Sequence, residues 1–206
     1  MVKFHNNDKI SLILQCMKKI FIVPGFKQKT TDKQFVWLKR FLIAKGFTVS
    51  LVPITWERAT MTDYAVEFES FYEKHKVKDN YVLGFSYGAV IAFITANKLK
   101  PKKIYLCSLS SDFKEDVRSM KPRIAKYIGK RRISDSLQRS GKEIAQDLAV
   151  PAVVFYGEKE GRQYPQLKIR CEETARLAKQ AKLVVVKGSP HAIDHPEYIT
   201  AIKAQF

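Results

Sequence analysis

Tyr81-Val82-Leu83-Gly84-Phe85-Ser86-Tyr87-Gly88-Ala89-Val90-Ile91-Ala92-Phe93 is the stretch that decides how this 206-residue chain is read. A short apolar strand, 81–83, runs into a G-x-S-x-G turn at 84–88, and a mostly apolar helix over 87–98 follows directly. A strand that passes straight into a helix needs a sharp turn, and its two glycines let backbone cross where a Cβ would clash. Such a turn lifts the Ser86 hydroxyl clear of the sheet. It also aims the first N–H groups of the helix, and the positive end of its dipole, at negative charge forming beside that hydroxyl. Gly and Ser are common in turns, so an ordinary strand-to-helix turn is the bland alternative. The buried strand on one side and the apolar helix on the other favour a reactive serine.

The same order of short apolar run and amphipathic stretch continues in both directions. Ile20–Val23 is stopped by Pro24-Gly25, and Phe35, Leu38, Phe41 and Leu42 then fall at helical spacing within 32–45, closed by Gly46. Further strands are expected at 48–52, 104–107, 152–156 and 183–186, and further helices at 63–77, 165–180 and 192–204. Continuous rather than alternating apolar character marks strands buried on both faces, hence a mostly parallel sheet covered by helices. Right-handed crossovers then give an α/β fold, a three-layer αβα sandwich in a single domain over 1–206. Two polar helical segments at 112–148 stand where one simple crossover would serve, and are read as a small lid inserted over the C-terminal edge of the sheet. Residues 1–17 are read as an N-terminal extension. Its apolar run, Ile10–Leu14, is too short for a secretory signal and no small-residue cleavage site follows. Met17, leading directly into a strand, is an alternative start.

The 37 Lys and Arg outnumber the 20 Asp and Glu, giving +17. That excess favours acidic partners without choosing among nucleic acid, lipid and acidic substrate. Lys130-Arg131-Arg132 is too short to argue nucleic-acid binding, and no RNA-binding aromatic motif accompanies it. Cys16, Cys107 and Cys171 are odd in number and far apart, which offers neither a metal site nor a disulfide framework and fits a reducing, cytoplasmic setting. No run approaches the roughly 18 apolar residues of a membrane span. Oligomeric state is left open.

A serine nucleophile needs a base, and the base needs an orienting carboxylate. Of His5, His75, His191 and His195, only His191 follows a strand, after Gly188-Ser189-Pro190, at the sheet edge where catalytic groups gather. His5 lies in the extension, His75 on the polar end of a helix, and His195 just before a proline, where it is read as capping or anchoring the last helix. Three acids compete for the third place: Glu160, then Glu158, both after the fifth strand in Gly157-Glu158-Lys159-Glu160, and Asp112 after the fourth.

These residues, in the order Ser86, acid, His191, resemble the α/β-hydrolase superfamily from about Lys18 to the C-terminus. The resemblance implies that the acid lies three residues beyond Gly157, which selects Glu160, although that family usually places Asp there. It implies an oxyanion loop after the first core strand, here Pro24-Gly25-Phe26, so that the backbone N–H groups of Phe26 and Tyr87 form the oxyanion hole. The expected activity is acyl transfer to water, a serine esterase or thioesterase that needs no metal or organic cofactor. A non-catalytic relative binding an anion through its basic lid, and an acyltransferase on the same scaffold, are the alternatives. Lys114–Glu143 carries ten cations against four acids, a net +6. A lid of that charge overhanging Ser86 would favour an anionic small-molecule substrate, with Arg131 and Arg132 as contacts; a solvated helical face is the plainer reading. Trp56, with Phe26 and Tyr87, is read as lining for an apolar acyl pocket or as plain core.

Overall fold

The computed structural model describes residues 18–206 except 58, 119 and 121. The extension read over 1–17, with Cys16 and the choice of start, lies outside the described residues. Six strands, β1 (Lys18–Val23), β2 (Phe47–Leu51), β3 (Asp79–Phe85), β4 (Lys103–Cys107), β5 (Ala152–Gly157) and β6 (Ala181–Val186), form one open sheet. Every pairing is parallel, in the order β2-β1-β3-β4-β5-β6.

Successive side chains of a strand point to opposite faces, so a strand covered on both sides must be apolar at every position. On β4, Ile104 and Leu106 enter one core and Tyr105 and Cys107 the other; on β5, Val154 and Tyr156 oppose Val153 and Phe155. The first core packs against α2 (Met61–His75), α3 (Tyr87–Leu99) and α9 (Pro165–Leu177). The second packs against α1 (Lys33–Ala44) and α10 (Pro196–Lys203). The helix after the G-x-S-x-G turn, α3, is buried almost all round, from Gly88 through Phe93 to Leu99. Its start is therefore fixed in space by packing on every side. Among the described residues, no helix is long and apolar enough to cross a membrane.

Strand order decides where a site can form. From β1 the chain steps outward to β2, whereas β3 returns to the other flank of β1. The segments leaving β1 and β3 thus run to helices on opposite faces, and a crevice opens between their C-terminal ends. Pro24–Phe26 and Ser86 both stand at that crevice.

The segment read as two helices is four short ones: α4 (Lys114–Arg118), α5 (Pro122–Ile128), α6 (Lys130–Ser136) and α7 (Gly141–Gln146). Pro122 opens α5, and Gly129, at φ 90°, separates α5 from α6 in a conformation that favours glycine. Both ends of this segment are tied down. Arg170 of α9, only 1% exposed, donates to both carboxylate oxygens of Asp116 at 2.9 and 3.2 Å and to Glu173 at 2.9 Å, with Phe113 under its guanidinium. A Cβ at Gly141 would lie 2.6 Å from a guanidinium nitrogen of Arg170, so a side chain there would have to push that guanidinium off its ion pairs. At the far end, Thr62 of α2 hydrogen-bonds the Asp135 carboxylate, which also pairs with Arg139. The last helix begins four residues later than expected. Ala192 N–H to Pro190 O and His195 N–H to Ala192 O fold 190–195 into turns, and Pro196 then starts α10.

Candidate active site

Ser86 has φ 55° and ψ −119°, a conformation that costs a non-glycine residue free energy and persists only where the surroundings enforce it. Here they do: its N–H donates to Cys107 O at 2.8 Å, and its carbonyl accepts from Ala89 N–H at 3.0 Å. A Cβ on Gly84 would run into the backbone of Gly88, and one on Gly88 into the carbonyls of Val23 and Pro24. Both glycines of the motif are thus required by close approach, the second because α3 starts directly against the end of β1. Gly25 stands on the far side of the crevice, where an added Cβ would lie 3.2 Å from Ser86 Cβ. Gln28 holds this turn, accepting Gly25 N–H through Oε1 at 2.7 Å and donating its own N–H to Gly25 O at 3.0 Å. Phe26 follows Gly25, its ring 5.9 Å from that of Tyr87. Tyr87 is the first residue of α3, where a helix leaves N–H groups without intrahelical acceptors.

His191 Nε2 lies 3.1 Å from Ser86 Oγ, and Nδ1 hydrogen-bonds Glu160 Oε1. The imidazole is seated on Phe85, centroid to centroid 4.9 Å, with Tyr164 edge-on at 6.2 Å. Glu160, on α8 (Glu158–Gln163), is fully buried, and its second oxygen accepts Gly157 N–H at 2.8 Å and the Ser108 hydroxyl at 2.9 Å. Because Ser108 has one proton and gives it to Glu160, the 3.0 Å contact with Tyr198 requires the tyrosine hydroxyl to donate to Ser108. The acid turn and the histidine loop are knitted together at Ser189, whose carbonyl accepts the N–H groups of Lys159 and Glu160 at 3.0 and 3.3 Å. A Cβ on Gly157 would strike that same carbonyl.

The three competing acids separate cleanly by position. Glu160 reaches His191. Glu158, two residues earlier, turns outward, accepts Gly188 N–H at 3.0 Å and pairs with Arg162. That N–H, and then the guanidinium, hold its carboxyl below the usual range. Asp112 lines a cleft of about 670 Å³ that opens over Ser86 and His191, with Ser110, Tyr164 and Leu167 also in its wall. Burial, followed by the neighbouring Asp116, pushes the Asp112 carboxyl up to about 7 from 3.8. A carboxyl raised in the folded state costs stability as pH climbs from the unfolded value to the folded one, and the full cost remains above it. Asp112→Asn is therefore expected to leave unfolding free energy nearly unchanged at about pH 4, and to raise it progressively to about pH 7. The gain should level off on the order of 1–3 kcal/mol. Urea unfolding across pH checks this, and a gain that does not vary with pH would contradict it.

The residues read as substrate contacts stand elsewhere. Trp56 is 8% exposed; its indole donates to Gln28 O at 3.2 Å and its ring packs on Phe26, Tyr64 and Tyr87. It borders a second cavity of about 940 Å³, beyond the Phe26 loop from the Ser86 cleft. Arg132 borders that cavity too, lying over the Phe26 ring and donating to Ala59 O, Trp56 O and the Tyr64 hydroxyl. Arg131 is exposed and paired with Asp63 at 3.1 Å. None of the described lid cations is in the wall of the Ser86 cleft; Lys121 lies outside the described residues. Cys107 and Cys171 are buried and unpaired, and burial pushes both thiols up, away from reactivity. Ser108, Tyr198 and Gln28 were not foreseen. For Ser108 a signal existed: Ser108-Leu109-Ser110-Ser111-Asp112 leaves the C-terminal end of the strand beside β3.

Neither a protein-family model nor a curated protein sequence matches the chain. Solved structures do. Est1E from Butyrivibrio proteoclasticus with ferulic acid bound superposes with TM-score 0.76 at 16% identity, covering 93% of this chain and 88% of that one. Mouse alpha/beta hydrolase domain-containing protein 10 gives TM-score 0.73 at 11% identity over 91% of this chain and 87% of that one. This chain has the α/β-hydrolase fold. Carboxylesterase CesB from Bacillus subtilis shares the α/β-hydrolase architecture at TM-score 0.64 and 13% identity, covering 93% of this chain and 84% of that one.

Proposed function

We propose that the chain is a serine hydrolase that cleaves a carboxylic ester or thioester through Ser86, His191 and Glu160. The observation that carries this is the continuous hydrogen-bond relay from buried Glu160 through both ring nitrogens of His191 to Ser86 Oγ. Glu160 is an acceptor for Gly157 N–H, the Ser108 hydroxyl and His191 Nδ1–H. That fixes the neutral tautomer whose Nε2 has a lone pair facing Ser86.

In the forward half, Ser86 Oγ forms a bond to the substrate carbonyl carbon while its proton passes to His191 Nε2. Negative charge on the former carbonyl oxygen is met by the Phe26 and Tyr87 N–H groups. Collapse breaks the C–O or C–S bond, and the leaving alkoxide or thiolate takes the proton from Nε2. In the second half, water gives a proton to Nε2 as its oxygen bonds to the acyl carbon; collapse then breaks the acyl C–Oγ bond, Ser86 Oγ takes the proton back from Nε2 and the free acid leaves. Glu160 stays ionised throughout, facing the imidazolium as it forms. The fold neighbours Est1E, with ferulic acid bound, and carboxylesterase CesB lend support as analogy from shared architecture.

The test is a panel of p-nitrophenyl esters and acyl thioesters of graded chain length, followed by release of free acid in buffer without any added acceptor. Turnover with stoichiometric acid is the expected result. Acyl groups released only when an alcohol, amine or thiol acceptor is supplied would favour transfer over hydrolysis.

A further inference from the structure

We propose that Asp112 makes the Ser86 cleft select an ester or thioester that carries a cationic ammonium group, an inference that rests on the hydrolase reading and names its substrate class. The overall charge of the chain points the other way, so the local arrangement has to decide. The cleft wall brings together Ser110, Ser111, Asp112, Gln163, Tyr164 and Gln166 beside Ser86 and His191, and among the described residues no Lys or Arg joins them. Asp116 also borders the cleft, but the buried guanidinium of Arg170 takes both of its oxygens. Asp112 has no hydrogen-bond or ion-pair partner among the described residues, and the charged groups bearing on it are Asp116 and, opposing it, Arg132. Arg132 spends its donors on Ala59 O, Trp56 O and the Tyr64 hydroxyl.

An unsatisfied carboxylate in a part-buried cleft attracts a cation strongly and repels an anion, because low local dielectric strengthens both effects. Among the described residues, the surface Lys and Arg outside the cleft wall act through solvent and are screened beyond roughly 8 Å at physiological salt. Tyr164, 47% exposed, adds an aromatic face in the same wall, a surface that favours ammonium groups. A carboxylate and an aromatic ring beside a nucleophilic serine describe a pocket for a positively charged substrate, not for the phosphate-bearing one that net charge alone suggests.

The test uses two pairs of matched esters. One pair is the p-nitrophenyl ester of an ω-trimethylammonio acid and its tert-butyl isostere; the other is a choline ester and its tert-butyl isostere. Rates are compared at about pH 8, above the raised Asp112 value, and at physiological salt. In at least one pair, wild-type kcat/KM should favour the cation by at least about tenfold, and Asp112→Asn should bring that ratio to within about twofold. Equal rates, a preference for the neutral ester, or a cation preference that survives Asp112→Asn would overturn the assignment and leave the hydrolase reading standing. No hydrolysis of any of the four esters would also overturn it. If Ser86 is then also untouched by a neutral fluorophosphonate, the hydrolase reading falls with it.

Discussion

Ser86→Ala is expected to lower kcat about 10⁴- to 10⁶-fold on any ester the chain turns over, with no loss of folded stability. The hydroxyl is the only group removed, and it stands above the sheet with His191 Nε2 at 3.1 Å and Ser110 Oγ at 3.4 Å. The substitution leaves no cavity in the core, so the mechanisms that make a single change severely destabilising do not operate. Ser86→Gly separates chemistry from strain. It removes the same nucleophile, and it also frees φ 55° from the steric cost a side chain incurs there, so it should unfold later by about 1 kcal/mol. A site held in a costly conformation for activity should show this opposition between function and stability. Full activity in Ser86→Ala would remove the serine from the mechanism.

Glu160→Gln should slow turnover about 10³- to 10⁴-fold. All three donors around this side chain, Gly157 N–H, the Ser108 hydroxyl and His191 Nδ1–H, need an acceptor. A glutamine of nearly the same size must turn its NH₂ toward one of them, in a place closed to bulk solvent. If the amide nitrogen faces His191, the ring takes the other tautomer and Nε2–H points at Ser86 with no lone pair to accept its proton. Glu158→Gln keeps an oxygen for Gly188 N–H and loses only an exposed pair with Arg162, so kcat/KM should change by less than about fivefold. The reverse ranking of the two variants would move the acid to Glu158.

The fold was legible because its main signals are local. Strand segments buried on both faces must be apolar throughout, and residues 20–23 of β1, 82–85 of β3, 104–107 of β4 and all of β5 obey that rule. The serine turn announces itself because glycine is the one residue that lets β1, β3 and α3 meet. His191 could be placed by elimination, since a chain with four histidines offers few rivals. The acid was harder. Glu158 and Glu160 differ by two positions in one short turn, and which one turns inward depends on Ser189, which lies close in space but some thirty residues away in sequence. Only the resemblance to a known turn separated them. The lid was legible as an insertion but not in its parts, because five- to seven-residue helices have little periodicity and are set by tertiary ties such as Arg170 to Asp116. Side-chain direction in the lid was not readable at all. Arg132 turns toward Phe26 and the 56–64 segment, so the sum of lid charge says little about the cleft. Trp56, read as lining for an acyl pocket or as plain core, is buried and braces the Phe26 loop from behind.

The proposed mechanism stands or falls with the activation of Ser86 by His191. Incubating the folded protein with a fluorophosphonate probe and locating the adduct by peptide mass spectrometry tests it most directly. Stoichiometric labelling at Ser86 is expected, reduced by at least about 10³-fold in rate in His191→Ala. Absence of labelling at Ser86 in folded protein, or labelling at an undiminished rate in His191→Ala, would contradict it.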